Sequence, residues 1–144
     1  MNQPQLIHDL LTNSRTIAVV GISEDARKPS HYVSRYMQQA GYRILPVNPS
    51  VTDVLGEKCY ASLSELPAPP DIVNVFRLPK FIPAVVEEMI ALGGPASGWK
   101  NLWVQLGIVH EEAAARAEAA GIHVVMNRCI LVEHQKLEQE LTRK

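Results

Sequence analysis

The stretch TIAVVGISEDARKPSHYVSRYMQQAGYRILPVNP, residues 16–49, decides the fold. Ile17, Ala18, Val19 and Val20 form a run of strand length, apolar at odd and even positions alike, as an interior strand of a helix-covered parallel sheet requires. Gly21 ends the run, where a glycine permits a turn with positive φ and lets a ligand approach the main chain without a Cβ in the way. The loop over residues 22–29 is polar. Ser30 reads as the N-cap of a helix over residues 31–40, with Gly41 as its stop. A second apolar strand, residues 43–47, runs into Asn48 and Pro49. A helix start facing a glycine turn presents unpaired N–H groups and favours an anion, so the segment reads as half of a mononucleotide-binding unit for a phosphate-bearing ligand. The Gly-x-Gly-x-x-Gly fingerprint is absent: Ser23 and Glu24 stand where further glycines are expected. No acidic residue ends the second strand to bind a ribose 2′-hydroxyl, which argues against an ordinary NAD site.

Outward from this segment, strands and helices alternate. Leu6, Ile7, Leu10 and Leu11 give residues 5–13 one apolar stripe, the mark of a helix that covers the sheet. Residues 49–70 hold turn formers, a short apolar patch at Val54 and Leu55, and one helical turn over residues 62–66. A third strand, residues 71–76, runs into Arg77-Leu78-Pro79. A helix over residues 80–92, a glycine-rich loop, a fourth strand over 102–106, a helix over 111–120, a fifth strand over 122–126 and a helix over 131–141 complete the chain.

This rhythm predicts an α/β fold: a Rossmann-like three-layer domain with a five-stranded parallel sheet, for which the order 3-2-1-4-5 is expected. Ligands of such sheets bind beyond the carboxyl ends of the strands, at the switch point beside the first strand. At 144 residues and 16.0 kDa the chain has the size of one domain, residues 1–144. Charged residues make up 20% and the formal net charge is -1, which gives no general affinity for nucleic acid or an acidic membrane. No apolar run has the length of a membrane span and the N-terminus lacks a signal-peptide pattern, so a cytoplasmic location is expected. Cys59 and Cys129 form no CxxC pair, and the histidines show no metal-binding spacing; no metal is expected.

Seven stretches then carry a resemblance: VVGIS at 19–23, KPS at 28–30, PVNP at 46–49, GEKCYASLSELP at 56–67, VFRLP at 75–79, WVQLGI at 103–108 and NRCILVEH at 127–134. In this order they resemble the small stand-alone coenzyme A-binding proteins, whose fold is similar to the N-terminal domain of the succinyl-CoA synthetase α subunit. The resemblance implies a CoA pocket over the first and third strands. Gly21, Ile22, Ser23 and Glu24 would line the pyrophosphate turn, with Ser30 at the helix start. Asn48 and Pro49 would flank the nucleotide end, and Phe76, Arg77 and Leu78 would contact the adenosine or pantetheine portion. Arg27 and Lys28 are candidates for the 3′-phosphate or the pyrophosphate. A guanidinium suits phosphate because it donates two parallel hydrogen bonds. The loop over residues 93–101, with Trp99, departs from the pattern by its length. No counterpart of the synthetase's phosphorylated histidine or second domain follows, so synthetase activity is not expected.

Two functions remain open on these residues. One is non-catalytic binding of coenzyme A or a short acyl-CoA, a small-molecule ligand, with any protein partner unspecified. The other is a small NAD(P)-dependent oxidoreductase or another nucleotide-using enzyme. A catalytic reading would draw on Cys129 with Arg128 or His134, since a cationic neighbour raises the thiolate fraction; the plainer reading of Cys129 is a small core residue at a strand end.

Overall fold

Apolar side chains alternate along the main strands and divide the interior into two halves, one on each face of the sheet. In the computed structural model, which describes residues 2–142, the elements are α1 (Gln3–Asn13), β1 (Thr16–Val20), α2 (Pro29–Gln39), β2 (Arg43–Val47), β3 (Asp53–Val54), β4 (Glu57–Lys58), β5 (Ile72–Val75), α3 (Ile82–Ala91), β6 (Asn101–Val104), α4 (Glu111–Ala119), β7 (His123–Met126) and α5 (Ile130–Thr142). Ile17, Val19, Ile44, Ile72, Trp103 and Val125 pack with the apolar stripes of α1, α2 and α5. Ala18, Val20, Leu45, Val73, Leu102 and Val104 pack with α3 and α4 on the other face. The result is a three-layer α/β arrangement around a five-stranded parallel sheet.

The strand order is β2-β1-β5-β6-β7. Counted over the five main strands this is 2-1-3-4-5, and it corrects the expected 3-2-1-4-5: the third main strand, β5, lies on the far side of β1 and not outside β2. Pro46 supplies the physical reason. It has no N–H, and its carbonyl accepts from Tyr60 N–H (2.9 Å) on the outer side of β2, so the missing donor faces an edge and not an interior ladder. β1 therefore lies between β2 and β5, with Ile17 opposite both Ile44 and Ile72. The chain reverses its winding between β1 and β5.

The outer side of β2 is covered by a hairpin that the sequence shows only as turn formers. β3 and β4 pair antiparallel through Leu55 (φ 56°) and Gly56 (φ 76°), both in the left-handed region as a two-residue hairpin turn requires. Val54 is buried, and Asn48 N–H donates to the Tyr60 carbonyl (2.8 Å), so the exposed ladder of the edge strand is partly capped. The long loop before β6 also has a packing role: Trp99 is buried in the α3–α4 half of the core.

Candidate functional site

The loops that leave the carboxyl ends of β1, β2, β5 and β6 enclose a cleft of about 780 Å³. Gly21 opens it with φ 88°. A Cβ at Gly21 would stand 2.4 Å from the Phe76 carbonyl oxygen and 2.7 Å from Arg77 Cδ. The space a side chain would fill is thus taken by the loop after β5, and the glycine serves the approach of two protein loops where the sequence suggested approach of a ligand.

Beyond Gly21 the loop is held by its own polar groups. Ser30 Oγ accepts from Ser23 N–H (3.0 Å), and the His31 ring Nδ1 lies 2.9 Å from the Ser23 carbonyl, to which it donates. Helix α2 begins two residues earlier than expected: Pro29 is its first residue, and Lys28 precedes it without a side-chain cap. Ser30 is therefore not the N-cap but a buried brace of the loop. Proline suits the first helical position because its missing N–H would have had no partner there. His31 and Tyr32 N–H both turn back to the Lys28 carbonyl (3.0 and 3.1 Å). Among the described residues, the N–H groups of Ile22, Glu24 and Ser30 have no acceptor in the protein.

The second strand contributes Asn48, whose side-chain amide is hydrogen-bonded at both its nitrogen and its oxygen. Its Nδ2 donates to the Ile22 carbonyl (2.8 Å) and its Oδ1 accepts from Ser50 N–H (2.9 Å), so it ties the loop after β1 to the loop after β2. The third main strand contributes Phe76, Arg77 and Leu78. The Arg77 guanidinium lies 4.2 Å from the centre of the Phe81 ring, a cation–π contact that orients it. Neither Lys28 nor Arg77 belongs to an ion pair among the described residues. The cleft thus carries two uncommitted cations.

Of the residues picked from the sequence, Gly21, Ile22, Ser23, Glu24, Lys28, Ser30, Asn48, Phe76, Arg77 and Leu78 line this cleft. Ile22 borders the cleft although the residue as a whole is fully buried. Arg27 and Pro49 lie outside it. Arg27 points into solvent and forks onto the Asp25 carboxylate (3.0 and 2.9 Å), and this guanidinium, seconded by Arg27 N–H, holds the Asp25 carboxyl below its ordinary range. Pro49 lines a separate slot of about 240 Å³ on the α3 side of the sheet, where Arg77 and Phe81 also appear. Leu106, Gly107 and Ile108, together with Ser50 and Val51, complete the cleft and were not picked. The signal that would have found the first three is the strand order, since β6 next to β5 brings the end of the fourth main strand to the cleft. Gly107 N–H is fixed there by Asn127 Oδ1 (2.7 Å), from a residue itself in the left-handed region at φ 63°.

Cys129 and His134 do not reach the cleft. His134 is buried between α5 and α2, with Nδ1 2.8 Å from Tyr36 Oη and the rings of Tyr36 and Tyr42 edge-on to it. A second hollow, of about 410 Å³, lies at the amino-terminal rim of the sheet beside α1. Two of its polar residues are tied into the fold: Asp71 Oδ2 accepts from Arg15 and Thr16 N–H (2.7 and 3.1 Å), and Asn101 Nδ2 donates to the Asp71 carbonyl (2.9 Å).

A parallel sheet covered on both faces, with open amides and free cations gathered where the strand order reverses, is the class of Rossmann-like α/β domain that takes its ligand at the switch point. Residues 15–135 match the profile of the CoA binding domain, and the chain belongs to that family. It is 44% identical over 128 residues to the uncharacterized protein YneT of Bacillus subtilis, covering 89% of this chain and 91% of that one. It is 31% identical over 81 residues to the ADP-forming acetate–CoA ligase II of Archaeoglobus fulgidus, which is 55% of this chain and 12% of the ligase's length. Among solved structures, the cell-free protein ID.343 from Thermus thermophilus superimposes with a TM-score of 0.86 at 41% identity, covering 95% of this chain and 99% of that one. The expected resemblance to small stand-alone CoA-binding proteins is borne out.

Proposed function

We propose that this chain binds coenzyme A, free or as a short acyl thioester, and carries out no chemistry on it. The diphosphate docks on the turn after β1, where the Ile22, Glu24 and Ser30 N–H groups are open, with Lys28 beside it and Arg77 as the second cation. The observation that carries this reading is the coincidence of those open amides and uncommitted cations in one cleft of a chain from the CoA-binding family. An amide-rich turn at a helix start stabilises phosphate by hydrogen bonds and by the helix dipole together. Binding without chemistry is supported by the lining, which holds no cysteine or histidine among the described residues. Its Ser23 and Ser30 hydroxyls are occupied with the loop's own N–H groups. A nicotinamide dinucleotide is the poorer ligand: β2 ends in Asn48 and Pro49, with no carboxylate there to accept from a ribose 2′-hydroxyl.

Calorimetric titration with CoA, 3′-dephospho-CoA, NAD and NADP tests this. CoA is expected to bind and the nicotinamide dinucleotides to give no heat; binding of NAD or NADP without CoA would reverse the assignment. Arg77→Ala is expected to weaken CoA by about 10- to 100-fold, the range for loss of a hydrogen bond to a charged group. Unchanged affinity would remove Arg77 from the site.

A further inference from the structure

We propose that the β6 side of this cleft is an apolar clamp, formed by Leu78 and Leu106, for the hydrocarbon chain of an uncharged acyl thioester. The proposal rests on the reading of the cleft as a CoA site and adds to it the class of acyl group. Leu78 and Leu106 are 64% and 61% exposed, yet both line the cleft. They follow neighbouring strands: Val75 and Val104 are partners in the β5–β6 register, so the two loops leave the sheet side by side. Ile108 continues the same wall and Val109, 44% exposed, lies just beyond it.

The cleft is divided by polarity. The loop after β1 and the start of α2 contribute Ser23, Glu24, Asp25, Lys28 and Ser30, and the loop after β2 adds Ser50, whereas the loops after β5 and β6 contribute mainly hydrocarbon, with Arg77 as their one charged group. A ligand with its diphosphate on the β1 turn finds the β5 and β6 ends as the continuation of the same cleft. What arrives there must be apolar to gain from covering two leucines that water now wets. A terminal carboxylate gains nothing. With the diphosphate docked, Lys28 and Arg77 are engaged with it, and Lys80 does not line the cleft. The clamp therefore selects uncharged acyl chains over ω-carboxylated ones, and no bond is made or broken in doing so.

The test is the affinity of the full chain for CoA, acetyl-CoA, butanoyl-CoA, hexanoyl-CoA and succinyl-CoA, measured on the parent protein and on Leu106→Ser and Leu78→Ser, each checked for an intact thermal transition. From acetyl to hexanoyl, each added methylene is expected to tighten binding about two- to fourfold, the factor for partial to full burial of a CH₂. Succinyl-CoA is expected to bind no more tightly than acetyl-CoA, and each serine variant to flatten the chain-length dependence by half or more. CoA binding with no dependence on chain length, or a dependence that survives both substitutions, overturns the clamp and leaves the CoA site standing. Failure of CoA and every thioester to bind overturns the site itself, and the clamp with it.

Discussion

Replacing Gly21 by alanine has a cost that can be worked from two distances and an angle. At φ 88° a non-glycine residue pays about 1–2 kcal/mol for the left-handed backbone. The new Cβ meets the Phe76 carbonyl oxygen at 2.4 Å, where an ordinary carbon–oxygen contact is about 3.3 Å, so the two loops must separate by roughly 0.9 Å. The Arg77 side chain can swing away; the Phe76 peptide cannot, because its N–H is bonded to the Val20 carbonyl (2.9 Å) as the last rung between β1 and β5. Overpacking of this kind costs about 1–3 kcal/mol. The sum, about 2–5 kcal/mol, lowers the melting temperature by about 6–15 °C for a domain of this size. Gly121→Ala is the control: its φ is 87°, but the nearest atom to a Cβ is Pro95 Cγ at 3.5 Å, an ordinary contact. It carries the backbone cost alone, about 3–6 °C. Differential scanning calorimetry of both variants reads the difference, and CoA titration of Gly21→Ala is expected to show at least a tenfold loss as the Arg77 loop is displaced. If the two variants melt together, the clash between the loops is not real.

Trp103 is fully buried and its Nε1 donates to the Arg128 carbonyl (2.9 Å), so Trp103→Ala is expected to cost about 3–5 kcal/mol in urea unfolding and to loosen the start of α5. Asn48→Ala removes the clamp between the β1 and β2 loops and the local bond to Ser50, and is expected to cost about 1–2 kcal/mol, with faster amide exchange at Ser50 N–H as the specific sign. Burial pushes the Cys59 thiol and the Tyr42 phenol above their ordinary values. Groups whose folded pKa is raised stabilise fully below the unfolded value and lose that contribution as pH rises, so unfolding free energy is expected to fall from near the unfolded thiol value of 9.0 upward. In Cys59→Ala the thiol's share of that alkaline loss should vanish while the Tyr42 share remains; an unaltered pH profile would show that Cys59 ionises freely in the folded protein.

The element pattern was legible because each main strand is a short apolar run bounded by a turn residue and each helix has one apolar stripe. The strand order was partly legible: Pro46 lacks the N–H that an interior ladder uses, which favours an edge position for the second strand over the interior one that the order 3-2-1-4-5 gives it. The β3–β4 hairpin was hidden for a different reason. Its turn places Leu55 at positive φ, which no propensity for leucine predicts and which the adjoining Gly56 and the burial of Val54 impose. Ser30 resembled a helix cap because serine before an amphipathic run usually is one; here Pro29 fixes the first helical turn and leaves the hydroxyl to brace Ser23. At the cleft, residues in the loops after β1, β2 and β5 could be picked from motif-like stretches. Leu106, Gly107 and Ile108 lie in such a stretch as well, WVQLGI, but their nearness to Gly21 is a property of the sheet's order and not of any local pattern.

The most direct measurement is the change in backbone amide resonances of ¹⁵N-labelled protein on titration with coenzyme A. The Ile22, Glu24 and Ser30 N–H signals are expected to move downfield as they acquire phosphate acceptors, with the Gly107 region shifting less and Lys100, Asn101 and His123 at the opposite rim of the sheet unmoved. Shifts confined to that opposite rim, with the three open amides unchanged at saturation, would contradict a diphosphate site at the first turn of the sheet.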